Sequence, residues 1–100
     1  MLVAVLVADL YIPDALSLKD KRRRVAGLIG RIRAKFPVSV AEVGFQDLLQ
    51  RGRIGLALVT TDARMARSMI DRITDLVGQD GELEMTDRKI EIFRMDGLER

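Results

Sequence analysis

Neither cysteine nor histidine occurs in the sequence. The missing thiols exclude disulfides, thiolate catalysis and sulfur-ligated metals. The missing imidazoles exclude the commonest transition-metal ligand and the base of Ser-His and Cys-His nucleophiles. Acid–base chemistry would have to use carboxylates, lysines, arginines or Tyr11. We therefore expect a protein that is not an enzyme and that holds no metal and no cofactor.

Long hydrophobic runs are also missing. The opening MLVAVLVADLYIPD is apolar only until Asp9 and has no positively charged segment before it, so it fits neither a signal peptide nor a membrane span. A chain of 100 residues, of which 48% are hydrophobic and 32% charged, has the size of one globular domain. We predict a cytoplasmic protein without a membrane partner, with a single domain over residues 1–95 and a short tail over residues 96–100.

Positive charge is concentrated in the segment from Ser17 to Phe36, SLKDKRRRVAGLIGRIRAKF. The segment holds eight cations against the single carboxylate of Asp20, a net charge of +7 in a chain that carries +2 overall. Its first five cations fall in the first turns of a predicted helix, where the helix dipole disfavours positive charge. Two explanations stay open: acidic residues elsewhere in the fold neutralise the segment, or an anionic partner such as nucleic acid binds it.

Alternating and uncharged runs predict four strands. The first and third strands carry the least charge and therefore belong in the middle of a sheet, whereas the second and fourth suit its edges. A bulge is expected near Thr86 and Asp87 in the last strand. The predicted strands are Leu2–Ile12, Val38–Val43, Arg53–Thr60 and Glu82–Met95.

Two helices with apolar stripes are predicted between the strands. Ser17 and Asp20 form the N-terminal cap of the first helix, and Pro37 ends it. Asp62 caps the second helix, and Gly78 closes it as a C′ glycine. The resulting order βαββαβ predicts an α+β fold, a ferredoxin-like sandwich in which a four-stranded antiparallel sheet of order 4-1-3-2 carries both helices on one face.

This topology brings the start of the first helix, the loop Gly44–Gly52 and the turn Gly78–Gly81 to the same end of the domain. The loop is long enough for a helical turn in which Asp47 and Arg51 pair. The first helix also has a face of small residues, which either admits the close approach of another molecule or is merely tolerated. These residues are Ala26, Gly27, Gly30 and Ala34.

Three stretches, YIPDALSLKDKRRR, FPVSVAEVGFQDLLQR and IGLALVTTD, resemble the YlxP-like family of small bacterial proteins of unknown function. The resemblance implies a ferredoxin-like fold and no assigned activity. The family's genes tend to lie beside those for translation initiation and ribosome maturation factors, which implies an RNA-related role. The chain departs from the family pattern at Tyr11, where a His is usual, and at Gly44 and Phe45, which replace Asp-His. It keeps the pattern at Lys19, Lys21, Arg22, Gln46, Asp47, Gln50 and Arg51.

The first functional hypothesis is an RNA-binding module, related to ribosomal RNA or the ribosome. Guanidinium groups bind phosphate bidentately and stack on bases, which suits an arginine-rich segment. The predicted contacts are Lys19, Lys21, Arg22, Arg23, Arg24, Arg31 and Lys35, with Arg51 and Arg53 from the adjacent loop and a polar cluster of Gln46, Asp47 and Gln50. The alternative is a solvated helix neutralised by Asp80, Glu82 and Glu84.

The second hypothesis is a structural or regulatory module that forms a homodimer through its open sheet face. The outer faces of its two central strands are predicted to be apolar and to lack an aromatic ring, unlike those of a standard RNA-recognition motif. Its predicted interface residues are Val3, Val5, Val7, Ala57 and Val59.

An enzyme is the third hypothesis and the one least supported by the sequence. Acylphosphatases share the topology, but they need a glycine-rich phosphate loop and a later Asn, whereas this chain has Pro13 at the loop position and no Asn. Glu42 and Asp47 are interpreted as ordinary polar residues rather than an acid–base pair.

Overall fold

The computed structural model describes residues 1–97. The elements follow one another in the order βαββαβ, and the sheet is antiparallel with the order β2-β3-β1-β4. The predicted α+β, ferredoxin-like arrangement is therefore confirmed, whereas the end of the predicted tail lies outside the described residues. The elements are β1 Leu2–Tyr11, α1 Leu18–Lys35, β2 Ser39–Gly44, β3 Arg51–Thr60, α2 Ala63–Gly78 and β4 Glu84–Arg94.

The sheet has one face covered by the helices and one open face. Along β1 the even-numbered residues from Leu2 to Leu10 are buried, and the odd-numbered residues from Val3 to Asp9 are partly exposed. Both helices add their apolar stripes to the same core, for example Leu28 and Ile32 of α1 and Ile70 and Ile73 of α2. Each large apolar side chain buried in this way contributes about 1.5–3 kcal/mol. The core thus fixes which strand residues point away from the helices.

The helix caps agree with the sequence at three ends out of four. The Ser17 hydroxyl accepts a hydrogen bond from Asp20 N at 3.0 Å, and the Asp62 carboxylate accepts from two amides at the start of α2. The end of α1 at Lys35, before Pro37, also agrees. The prediction that Gly78 is a C′ glycine is wrong: Gly78 is still helical, and the C-cap is Gln79 with φ −87°. Because Gln79 keeps right-handed backbone angles, this helix end needs no glycine.

The predicted bulge in β4 is confirmed. Asp9 lies opposite Asp87 while Leu10 lies opposite Met85, so Thr86 is the extra residue. The predicted helical turn in the β2–β3 loop is not present, because the loop makes a short turn in which Leu48 N donates to Phe45 O at 3.1 Å and β3 begins at Arg51. No Asp47–Arg51 ion pair forms among residues 1–97.

Candidate nucleic-acid interface

The solvent-facing side of α1 carries no carboxylate and no large apolar residue. The helix's one acidic residue, Asp20, is only partly exposed and accepts hydrogen bonds from Arg23 at 2.8 Å and Arg24 at 2.9 Å. These bonds, with that from Arg23 the stronger, lower the pKa of Asp20 and keep it ionised. Every exposed residue of α1 is Lys, Arg, Gly or Ala. They are Lys19, Arg22, Arg23, Ala26, Gly27, Gly30, Arg31, Arg33, Ala34 and Lys35, and we call this set the α1 basic face.

Acidic residues after α2 neutralise part of the segment, as one reading of the sequence predicted. The guanidinium of Arg24 lies 3.8 Å from Glu82, and its side chain is only 14% exposed. Arg31 forms an ion pair with Asp80. Glu84 makes no ion pair with the described residues, so two of the three predicted acidic partners are present. Lys19, Arg22, Arg33 and Lys35 make no ion pair among residues 1–97.

Lys21 is buried, so the structure does not place it as the predicted phosphate contact. Its side chain is 0% exposed, its Nζ donates a hydrogen bond to Phe45 O at 2.7 Å, and the same nitrogen lies 3.8 Å from Glu42 Oε1. Lys21 shares the inward side of α1 with Val25, Leu28 and Ile32. That spacing was readable from the sequence, because these positions form one helical stripe.

Arg51 and Arg53 belong to the other side of the sheet, so the predicted grouping of their side chains with the first helix is wrong. Arg53 donates to the Asp9 carboxylate at 2.6 and 3.2 Å on the open face. This hydrogen bond is the main cause that lowers the pKa of Asp9. Side chains alternate along a strand, so Arg53 points to the same side as Gly55 and Ala57. The predicted phosphate contacts therefore fall into an exposed group on α1, the partly buried Arg24, the buried Lys21 and a pair of arginines on the open face.

The polar residues of the β2–β3 loop have unequal roles. Gln50 ties this loop to the β1–α1 connection, because its Nε2 donates to Pro13 O at 3.0 Å and to Ala15 O at 3.5 Å. The backbone carbonyl of Gln50 also accepts a hydrogen bond from Ile12 N at 2.9 Å. Gln46 and Asp47 are exposed to solvent. The predicted loop cluster is thus one structural anchor with two surface residues beside it.

The two central strands give the open face the apolar character that the sequence predicted, whereas the edge strand β4 adds Glu91 opposite Val5 and Lys89 opposite Val7. Val59 is 66% exposed, and a shallow groove of about 330 Å³ passes over Val5, Val7 and Ala57. The prediction that the central strands carry no ring on this face is wrong at Tyr11, which ends β1 opposite Arg51. A further ring on this face is Phe93, which lies opposite Val3 and is 52% exposed. The edge strand supplies this ring, whereas the prediction considered only the two central strands.

The match to known proteins covers most of the chain: residues 3–90 match the family described as Protein of unknown function (DUF503). The chain belongs to this family. It is also 33% identical over 85 residues to the uncharacterized protein YlxP of Bacillus subtilis, an alignment that covers 85% of this chain and 92% of the relative. The resemblance inferred from the sequence is confirmed.

A second cluster in this DUF503 member lies where the β2–β3 loop meets the open face. The Phe45 ring has the guanidinium carbon of Arg53 at 4.5 Å and that of Arg51 at 5.3 Å from its centre. Tyr11 lies directly opposite Arg51 in the β1–β3 pair. The sequence prediction missed this cluster because it began the third strand at Arg53 and treated Phe45 as part of a helical turn.

No helix among residues 1–97 is long and apolar enough to cross a bilayer.

Proposed function

We propose that this protein is a non-enzymatic RNA-binding module, related to the ribosome or translation, that holds the RNA phosphate backbone on the α1 basic face. One observation carries the proposal: every exposed residue of α1 is either a cation or one of the two smallest residues. A surface of this composition offers charge for phosphates and leaves room for a backbone to approach the helix.

The other helix supports this reading by contrast. The exposed residues of α2 mix charges of both signs, with Arg64, Arg67 and Arg72 interspersed with Asp71 and Asp75. A solvated helix ordinarily has such a mixture. The α1 basic face departs from this pattern, and its first cations lie where the helix dipole opposes them. Phosphate groups would neutralise the excess positive charge of this face and would also offset the unfavourable interaction of its first cations with the helix dipole.

The proposal is tested with Lys19→Ala/Arg22→Ala, because neither side chain makes an ion pair among the described residues. We expect the affinity for a ribosomal RNA fragment to fall linearly with the logarithm of the salt concentration. The variant should bind more weakly, and its slope should be shallower by about 0.7 to 0.9 for each phosphate that it no longer neutralises. Fluorescence anisotropy of labelled RNA at several salt concentrations measures both quantities.

The matched control is Arg64→Ala/Arg67→Ala on α2, which removes the same amount of charge from an exposed helix. If both double variants weaken binding equally, only net charge matters and the α1 basic face is not the site. Absence of any salt-dependent RNA binding by the parent protein would contradict the whole proposal.

Self-association through the open sheet face is the second candidate function. The observation in its favour is that Val59, Val43 and Phe93 are 66%, 55% and 52% exposed on a face that no segment of residues 1–97 covers. Apolar surface left in water forgoes about 25 cal/mol per Å² of burial. The occupant that we propose is a second copy of this chain.

A further inference from the structure

Four side chains gather at the loop end of the open sheet face: Tyr11, Phe45, Arg51 and Arg53. The Phe45 ring lies against both guanidinium groups, at 4.5 Å for Arg53 and 5.3 Å for Arg51. Tyr11 and Arg51 are direct cross-strand partners, so their side chains leave the sheet on the same side. Tyr11 is 37% exposed and Arg51 is also exposed. We call this group the aromatic–arginine cluster.

The ring of Phe45 is held in place by unusual local structure. Phe45 has φ +57°, a left-handed conformation that side-chain-bearing residues seldom adopt. The buried Lys21 holds the backbone there, because its ammonium donates to Phe45 O at 2.7 Å. A side chain at Gly44 would come within 3.1 Å of Arg53 Cδ, so the glycine lets Arg53 lie close to the backbone. Residues other than glycine that adopt left-handed backbone angles often occur at binding sites.

The two arginines of the cluster differ in how free their guanidinium groups are to bind a ligand. Arg53 is fixed by its two hydrogen bonds to Asp9, at 2.6 and 3.2 Å. Arg51 makes no ion pair among residues 1–97 and is exposed beside two rings. Proteins that bind unpaired nucleotides combine flat aromatic or guanidinium surfaces for the bases with a free cation for the phosphates. The aromatic–arginine cluster has both.

We infer that the aromatic–arginine cluster stacks an unpaired base of single-stranded RNA, with Arg51 contacting the adjacent phosphate. The inference rests on the proposed RNA-binding function and adds the class of RNA and a site for its bases. The two surfaces meet at one end of the domain, because Lys21 from the first turns of α1 reaches Phe45. An RNA strand that lies on the α1 basic face near Lys19 and Arg22 can continue around the β2–β3 loop to the aromatic–arginine cluster.

Intrinsic fluorescence gives a direct readout, because Tyr11 is the sole tyrosine and the chain has no tryptophan. The two probes are an oligouridylate and inorganic polyphosphate, which carries the charge without bases. We expect both to bind and only the oligouridylate to quench the Tyr11 emission. We also expect Phe45→Leu to weaken oligouridylate binding by about 5- to 150-fold, the range for removing one base–aromatic stack, while polyphosphate binding stays unchanged.

Phe93→Leu is the matched control, because it removes an exposed ring from the opposite end of the same face. Tyr11→Leu is the second cluster variant and keeps the test decisive if Phe45→Leu does not fold. Its binding is measured by anisotropy of labelled oligouridylate. The Tyr11→Leu variant should lose affinity for the oligouridylate and retain it for polyphosphate.

Three outcomes would overturn the inference. If the oligouridylate binds without quenching and the cluster variants bind like the parent, the bases lie elsewhere and the role of the α1 basic face stands. If polyphosphate quenches Tyr11 equally, the tyrosine reports on charge and not on stacking. If neither probe binds at all, the inference fails together with the proposed function.

Discussion

Lys21 places its ammonium group inside the domain, where an unpaired charge is costly. The structure offsets this cost with the hydrogen bond to Phe45 O at 2.7 Å and the carboxylate of Glu42 at 3.8 Å. The aliphatic stem packs near Val25 and Gly52. A side chain that charge alone would assign to a partner is thus a structural link between α1 and the loop that carries Phe45.

Replacing Lys21 by Met keeps the apolar stem and removes the donor to Phe45 O. Phe45 O keeps its hydrogen bond from Leu48 N at 3.1 Å, so the loss is that of one hydrogen bond from a charged donor. Such a bond contributes about 1.5–3 kcal/mol, and we expect Lys21→Met to lower the free energy of unfolding by about that amount. Lys19→Met is the control, since Lys19 lies two residues earlier and is exposed, and its effect should stay within about 0.5 kcal/mol. Urea denaturation measures both, and equal effects would mean that the hydrogen bond contributes little.

The Asp9–Arg53 pair predicts how stability depends on pH. The hydrogen bond from Arg53 lowers the pKa of Asp9 below its ordinary value of 3.8. A carboxylate whose pKa is depressed by folding contributes stability above the unfolded-state pKa and loses it as the pH falls through the folded-state value. The advantage of the parent over Asp9→Asn should therefore be largest at about pH 5–7 and shrink below about pH 4. Thermal melts across this range measure it, and a constant difference would contradict the assignment.

At the scale of the element, α1 poses the question of why two glycines lie inside a helix. A side chain at Gly30 would have open space around it, and one at Gly27 would meet only Arg31 at an ordinary 3.7 Å. Packing within the described fold therefore does not require either glycine. Each glycine costs about 1 kcal/mol relative to alanine. Two explanations remain: another molecule approaches the helix at these positions, or the glycines are merely tolerated.

The double variant Gly27→Ala/Gly30→Ala separates stability from binding. We expect the free energy of unfolding to rise by about 1–2 kcal/mol, because alanine is the better helix former and has fewer unfolded conformations to lose. If the RNA backbone lies against these positions, the stabilised protein should nevertheless bind RNA more weakly. Chemical denaturation and RNA titration of the same sample decide the matter. Unchanged affinity would show that the glycines are merely tolerated.

The sequence predicted the elements well where a local pattern was sufficient. The alternation in β1 and the uncharged run that follows Arg53 in β3 identified the central strands. The Ser17 and Asp62 caps began both helices, and the Thr86 bulge was visible as a break in the alternation. The conformation of the loop that carries Phe45 was not predictable. A residue other than glycine adopts left-handed backbone angles only where tertiary contacts hold it, such as the hydrogen bond that Lys21 donates to Phe45 O.

The side chains of the candidate site were harder to assign than the elements. Charge identified the basic segment but not the orientation of each cation, because burial and ion pairing depend on neighbours distant in sequence. Arg24 meets Glu82 and Arg31 meets Asp80 only in the folded chain. Arg53, Ala57 and Val59 are separated by even numbers of residues in one strand, so their side chains share a face. The place of Arg53 on the open face could therefore have been predicted from the sequence.

At the scale of the whole molecule, the domain presents two unlike surfaces on opposite sides. The α1 basic face lies on the helix layer, and the apolar part of the open sheet face lies on the other layer around Val3, Val59 and Phe93. The aromatic–arginine cluster occupies the far end of that open face, about 25 Å away along β1. The proposed RNA binding and the proposed self-association would therefore use separate regions.

The size of the open face predicts a weak dimer. The four strands have 10, 6, 10 and 11 residues. At about 3.3 Å per residue and about 4.8 Å between strands, the whole open face measures roughly 600 Å² per copy, below the roughly 800 Å² per partner of a standard interface. The apolar part of this face is smaller still. We therefore expect a dimer that dissociates on dilution, observable by sedimentation equilibrium over a range of protein concentrations. Val59→Lys should raise the dissociation constant at least tenfold without large loss of stability, because Val59 is 66% exposed in the single copy. Arg67→Glu on α2 should leave the association unchanged, and a parent protein that is monomeric at every concentration would exclude this use of the sheet.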